Sequence, residues 1–220
     1  MRLKTKNLLN TTTLLLLSCI LCLAAHGQEK KNAFKKIYLQ GGTGVSSGSG
    51  TSVDVGIQAI LNKNWVATAS YQYMELNPKN LPANYEQGYT IVLFFPIYDD
   101  FPYNEMKIFN ITAGKYVETG RKTWFTTEAG ISFVNGQKVS FTPKPVVNDI
   151  FYISSNYSFK KENKSTIGAV LKADFNWAFL PYLGLGAGVY ANLNSIQSPV
   201  GFQVKLIAGS LNTKRKQKKH

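Results

Sequence analysis

The chain has 220 residues and a formal charge of +13, from 25 Lys and Arg against 12 Asp and Glu. Eight of those positive charges (Arg2, Lys4 and Lys6 at one end; Lys214, Arg215, Lys216, Lys218 and Lys219 at the other) are terminal, so the body keeps only +5. The length fits one domain, and the basic balance is an end effect that gives nucleic acid little to bind.

Met1 to Gly27 reads as a secretory signal, with a basic start, an apolar run from Leu14 to Ala25 and the small-x-small site Ala25-His26-Gly27. Both cysteines, Cys19 and Cys22, fall inside it. Leu16-Leu17-Ser18-Cys19 is a loose match to a lipoprotein box, so a lipid on Cys19 is a minor alternative. The chain after the signal has no cysteine, which excludes a small disulfide-stapled scaffold and a Cys-based zinc site. No later run approaches twenty apolar residues, so a helical membrane protein is not expected.

From there the chain alternates residue by residue, as strands do. The first strand is expected over Ile37–Ser46 and the second over Ser52–Leu61, where Val53, Val55, Ile57 and Ala59 oppose Asp54, Gly56, Gln58 and Ile60. The third, Trp65–Glu75, sets Trp65, Ala67, Ala69, Tyr71 and Tyr73 against Thr68, Ser70 and Gln72. A long irregular stretch with four of the eight prolines follows, from Leu76 to about Asn104. The fourth strand is Lys107–Glu118 and the fifth Trp124–Val134; Asn135 to Ser165 reads as a second long excursion. Three further strands fill Thr166–Leu211, broken at Leu180-Pro181-Tyr182 and at Asn194–Pro199.

Every second connection is a tight turn, and both long excursions fall in the other set. Outer-membrane barrels show this parity, with short periplasmic turns and longer outer loops. The apolar face of each strand carries rings and branched aliphatics, while the polar face carries Gly, Asn, Gln, Thr and several charges. A narrow lumen suits the second set and lipid the first. The expected fold is therefore all-β, an eight-stranded antiparallel up-and-down transmembrane barrel. Ten strands remain open if Tyr89–Phe95 and Lys138–Thr142 also cross. The expected domain plan is signal 1–27, barrel 28–212 and basic periplasmic tail 213–220. Trp65, Trp177, Phe179 and Tyr182 at one end, and Tyr71 and Tyr73 toward the other, are expected to form interfacial girdles.

Five charges fall on the inward face: Asp54, Glu128, Lys172, Asp174 and Lys205. They read as a salt-bridge and hydrogen-bond network filling the lumen, with a polar gate or a catalytic carboxylate pair as the sharper alternative. Lys172 and Asp174, two apart on one strand, lie within reach of each other and of the neighbouring strands. The aromatic run holding Phe94, Phe95, Tyr98, Phe101 and Tyr103 reads either as an outer patch for a ligand, glycan or protein, or as a loop packing over the barrel mouth. Histidine occurs only as His26 and His220. The histidine-dependent mechanisms of lipid-A deacylase, omptin and phospholipase barrels therefore cannot be carried over. No metal site, cofactor or catalytic residue is expected.

Glu128-Ala-Gly-Ile-Ser-Phe133, Ser155-Asn-Tyr157, Asn176-Trp177 and Gly186-Ala-Gly-Val-Tyr-Ala-Asn-Leu-Asn-Ser-Ile-Gln-Ser198 resemble the small outer-membrane β-barrel proteins of Bacteroidota, with OmpA/OmpX-like architecture. The likeness covers roughly the C-terminal half. It implies an outer-membrane location and eight strands, but no catalytic residue. The basic tail after Leu211 departs from the usual aromatic C-terminal end. The expected function is a non-enzymatic barrel with a plugged lumen and two long outer loops for surface contacts or envelope structure. Its expected partners are outer-membrane lipid, the barrel assembly machinery and an extracellular ligand or protein. A narrow pore and a soluble secreted ligand-binding barrel are the alternatives.

Overall fold

The computed structural model describes residues 34–61, 64–92, 95–99, 101–149 and 151–211. The expected signal with its cleavage site, Cys19, Phe94 and the basic tail lie outside the described residues. Eleven strands are present: β1 (Phe34–Ser46), β2 (Gly50–Leu61), β3 (Trp65–Leu76), β4 (Tyr89–Val92), β5 (Phe95–Tyr98), β6 (Asn104–Glu118), β7 (Thr123–Pro143), β8 (Tyr152–Ile153), β9 (Tyr157–Ala178), β10 (Leu183–Leu193) and β11 (Val200–Ser210). Eight of them close into one antiparallel ring in the order β1-β11-β10-β9-β7-β6-β3-β2. The seam is a full ladder from Ile37–Ser210 to Ser46–Gly201, so no edge of the ring is open.

Sequence-adjacent barrel strands are always neighbours, which makes an up-and-down meander. One end carries the short turns 62–64, 119–122 and 179–182. The other carries 47–49, the long segments 77–103 and 144–156, and 194–199. Ser49 (φ 54°) and Asn64 (φ 62°) take left-handed conformations that close two of the tight turns, and Gly48 (φ 84°) precedes the first.

Each wall strand obeys a period of two, with the polarity of a soluble core reversed. Leu39, Val53, Ile111, Ile131, Leu171, Val204 and Leu206 are exposed on the outside. Gln58, Gln72, Asn110, Ser132, Asn192, Gln203 and Lys205 are buried inside. Trp65 and Trp177 lie on the outer surface next to the short-turn end, where the Lys115 ammonium sits 3.7 Å over the Trp65 ring.

One expectation needs correction and one open alternative closes. Asn135–Ser165, expected as a polar and aromatic excursion, is mostly strand: β7 and β9 run on through it. Their pairing with β6 and β10 ends at Gly136 and Ala169. The two strands then continue as a ribbon for seven more pairs, from Gln137–Asn163 to Pro143–Tyr157. At about 3.4 Å per residue the ribbon projects roughly 20 Å beyond the ring. There the strands need not keep one apolar face, so the alternation that marks wall strands disappears. The ten-strand option also fails. Lys138–Thr142 is this continuation of β7, and β4 belongs to a separate three-stranded sheet ordered β5-β4-β8.

Candidate functional site

The lumen has three layers. Nearest the short turns, Tyr38, Ile60, Val66, Tyr116, Trp124, Ala178, Ile207 and Leu211 form one buried apolar cluster. Lys36 lies across it with its ammonium 3.7 Å over the Trp124 ring. At the opposite end Met74, Leu76, Met106, Ile108, Val134 and Tyr190 form a second, and Ile196 from segment 194–199 packs onto it. That segment is folded across the mouth. The Asn194 side-chain oxygen accepts from the Ile196 and Gln197 amides at 2.9 and 3.1 Å, and the Gln197 side-chain oxygen accepts from the Asn104 side-chain amide at 2.8 Å.

Between the clusters lies a polar belt that brings the five inward charges together. Lys205 on β11 sits 2.8 Å from Asp174 on β9. Lys172 on β9 lies 3.5 Å from Asp54 on β2 and donates to the Ser70 hydroxyl at 2.8 Å. Glu128 on β7 accepts from the Thr112 hydroxyl and the Gln58 amide. Gln58 also donates to Thr68 at 2.8 Å and accepts from the Tyr38 hydroxyl, which in turn accepts from the Trp124 indole at 3.2 Å. The pairs run between strands, so Lys172 and Asp174 take separate partners rather than each other. This follows from the wall: residues two apart on a strand stand side by side, whereas a barrel brings facing side chains into the same narrow space.

Room for the Lys205–Asp174 pair comes from glycine. A methyl at Gly188 would overlap the Asp174 carboxylate, and one at Gly42 would lie 2.9 Å from Lys205 Cγ. Elsewhere in the belt both polar side-chain atoms of Gln72, Asn110 and Gln203 are buried without a protein partner.

Beyond the long-loop end stands a folded cap. Segment 77–103 supplies β4 and β5, and segment 144–156 supplies β8; Tyr89 pairs with both Tyr98 and Ile153. The cap is fastened to the ribbon. The Asn80 amide donates to the Val139 carbonyl at 3.0 Å and the Tyr157 hydroxyl donates to Asn84 Oδ1 at 2.9 Å, while the Val139 amide donates to Asn104 Oδ1, at the start of β6, at 3.0 Å. Tyr85 lies among Phe101, Phe141 and Tyr157, with ring centroids 5.9, 5.8 and 6.4 Å away. Burial, and then the charge of Asp99, push its phenol above the ordinary range. The aromatic run therefore divides. Phe95 (74% exposed) and Tyr98 (61%) face out with Ile97 and Phe151. Phe101 turns inward against Tyr85 and lies 4.7 Å from Tyr103.

Sequence reasoning missed the apolar layers and the mouth-closing segment. Their signal was available in the inward phase of Tyr38, Tyr116, Trp124 and Tyr190, large rings at the two ends of an otherwise small polar face. The cap left no comparable trace, because its contacts join residues far apart in the chain.

No family model and no curated protein sequence matches the chain. Three solved structures with a similar outline are remote in sequence. Neisserial surface protein A is 12% identical over 79% of this chain and 95% of its own, with a TM-score of 0.48. The N-terminal β-barrel domain of Pseudomonas aeruginosa OprF is 9% identical over 80% and 98%, with a TM-score of 0.45. Yersinia pestis Ail, the attachment invasion locus protein, in complex with the heparin analogue sucrose octasulfate, is 12% identical over 80% and 97%, with a TM-score of 0.44.

Proposed function

We propose that the chain is an integral, non-enzymatic outer-membrane β-barrel whose lumen is closed and whose cap makes contacts outside the cell. The observation that carries this reading is the reversed polarity of a closed barrel. Rows of Leu, Val, Ile and Phe cover the outside while Lys, Asp, Glu, Gln and Asn are buried inside. Water would not tolerate so continuous an apolar surface, whereas lipid solvates it. Closure pairs the backbone groups that hydrocarbon would otherwise strand. A soluble ligand-binding barrel would need the opposite interior. Outer-membrane lipid and the barrel assembly machinery follow as partners, with the termini in the periplasm and the cap at the surface, where Phe95, Ile97, Tyr98 and Phe151 offer an apolar contact area.

The non-enzymatic part rests on the engagement of the carboxylates. Asp54 is held by Lys172, Asp174 by Lys205, and Glu128 by Thr112 and Gln58. The closed lumen rests on the two apolar layers that bracket the belt. One observation favours a narrow pore instead: the unpartnered amides of Gln72, Asn110 and Gln203 would suit a file of water.

Heat-dependent gel migration of outer-membrane fractions tests the barrel. A shift on boiling and resistance to carbonate washing are expected, and release into the soluble fraction would overturn the reading. Planar-bilayer recording tests the lumen: a silent protein is expected, and stepwise openings would replace the closed barrel with the pore.

A further inference from the structure

We propose that the outer face of β6, β7 and β9 holds a phosphate-bearing, acylated amphiphile of the outer leaflet; the inference rests on the membrane reading above. Two adjoining depressions of about 400 and 350 Å³ lie on this face and share Asn135 and Ser165 in their walls. The strand register explains their arrangement. One row across the three strands is Phe109–Phe133–Ile167, and the next row toward the cap is Lys107–Asn135–Ser165. Gln137 and Asn163 pair immediately above. The wall thus turns from apolar to polar within a single step of each strand.

Lys107, Asn135, Gln137, Asn163 and Ser165 line the upper depression or border both. Among the described residues none of these side chains makes a hydrogen bond or ion pair within the chain, so five donor groups converge with nothing of the protein's own to serve. The sign of the ligand follows from the charges. Glu105, also in this wall, is paired with Lys161 at 2.9 Å, and Glu75, its cross-strand partner on β3, accepts from the Tyr73 hydroxyl at 2.8 Å, which leaves Lys107 as the charge of this wall without an ion pair. A cation surrounded by amide and hydroxyl donors matches the several acceptor oxygens of a phosphate ester. The lower depression, lined by Phe133 and Ile167, matches an acyl chain leaving that headgroup. Lipid A and glycerophospholipid share this chemistry.

The test is native mass spectrometry of the delipidated, detergent-folded full chain. The probes are phosphatidic acid, diacylglycerol with the same acyl chains, lipid A with and without its phosphates, and inorganic phosphate. Retention of the phosphorylated members over their phosphate-free counterparts is expected, and the better retained of the two identifies the source. Lys107→Gln and Ser165→Asp should each weaken that retention about tenfold, the scale of one charge-assisted hydrogen bond. Equal retention of the phosphate-free lipids, or retention unchanged in both variants, would overturn the site. So would displacement by inorganic phosphate at equal concentration, because the apolar half would then contribute nothing. Heat-dependent migration is recorded on the same samples. A wild-type protein without a shift fails as a membrane barrel, whereas a shift without lipid preference fails only the site.

Discussion

The barrel wall and the cap are made from the same strands under different rules. Within the wall, β7 keeps strict order: Trp124, Thr126, Glu128, Ser132 and Val134 face in and are buried, while Phe125, Ala129, Ile131 and Phe133 face out. Five residues beyond Val134, the same strand buries Val139, which has the phase of the outward set, because segment 77–103 lies over it. The wall is organised by two faces, an apolar one outside and a packed polar lumen inside. The cap is organised by its own contacts, a ring cluster about Tyr85, a hydrogen bond from Asn80 to the Val139 carbonyl and those that Asn84 accepts from Asn156 and Tyr157. The first kind of order is repetitive and local in the chain; the second is specific and long-range.

Perturbations should separate the two regions. The largest effect is expected in the belt. Lys205→Met leaves the Asp174 carboxylate buried beside an apolar side chain and should cost about 3–5 kcal/mol, read as a lower denaturant midpoint for unfolding from bilayers. Adding Asp174→Asn should restore most of it, and a double variant as weak as the single one would contradict the pairing. Next is the apolar outer face. Val204→Arg, midway along β11, should cost about 2–4 kcal/mol and deplete folded barrel. Its neighbour Gln203→Glu, inside the lumen beside Lys205, should lose far less in the same gel-shift assay. Equal losses would show that the two faces do not meet different media. Gly188→Ala should cost about 1–3 kcal/mol by crowding Asp174, with Gly41→Ala, where an added methyl meets open space, as the silent control.

The smallest effect on the wall should come from the cap. The Asp99 amide donates to the Gly88 carbonyl at 2.9 Å, so removing Tyr89–Tyr98 joins ends that already meet. The barrel should keep its heat shift and denaturant midpoint, while hydrogen exchange of the ribbon amides around Val139 rises. Loss of the shift would mean that cap and wall fold as one unit.

This contrast also explains what could be read from sequence. Eight wall strands were legible because Val53, Val55, Ile57 and Ala59 alternate with Asp54, Gly56 and Gln58, and one register slip would exchange the two sets. The five lumen charges were legible by phase alone, but their partners were not. Lys172 finds Asp54 across 118 positions of sequence, through ring closure that no local pattern encodes. The ribbon was illegible because Lys160, Lys161 and Lys164 on β9 answer to water on both faces, so no period of two survives. The cap divided the aromatic run between exposed Phe95 and packed Phe101 by contacts that composition cannot rank.

The most direct measurement of the central claim uses methyl groups and lipid together. The protein, labelled at Ile, Leu and Val methyls, is placed in nanodiscs doped with a nitroxide-bearing lipid, and paramagnetic broadening is recorded by NMR. The methyls of Val53, Ile111, Leu171, Val204 and Leu206 should broaden strongly, and those of Ile60, Val170 and Ile207, fully buried inside the ring, should stay sharp. Broadening of the inner set, or sharp signals from the outer one, would contradict a barrel whose apolar face meets the membrane.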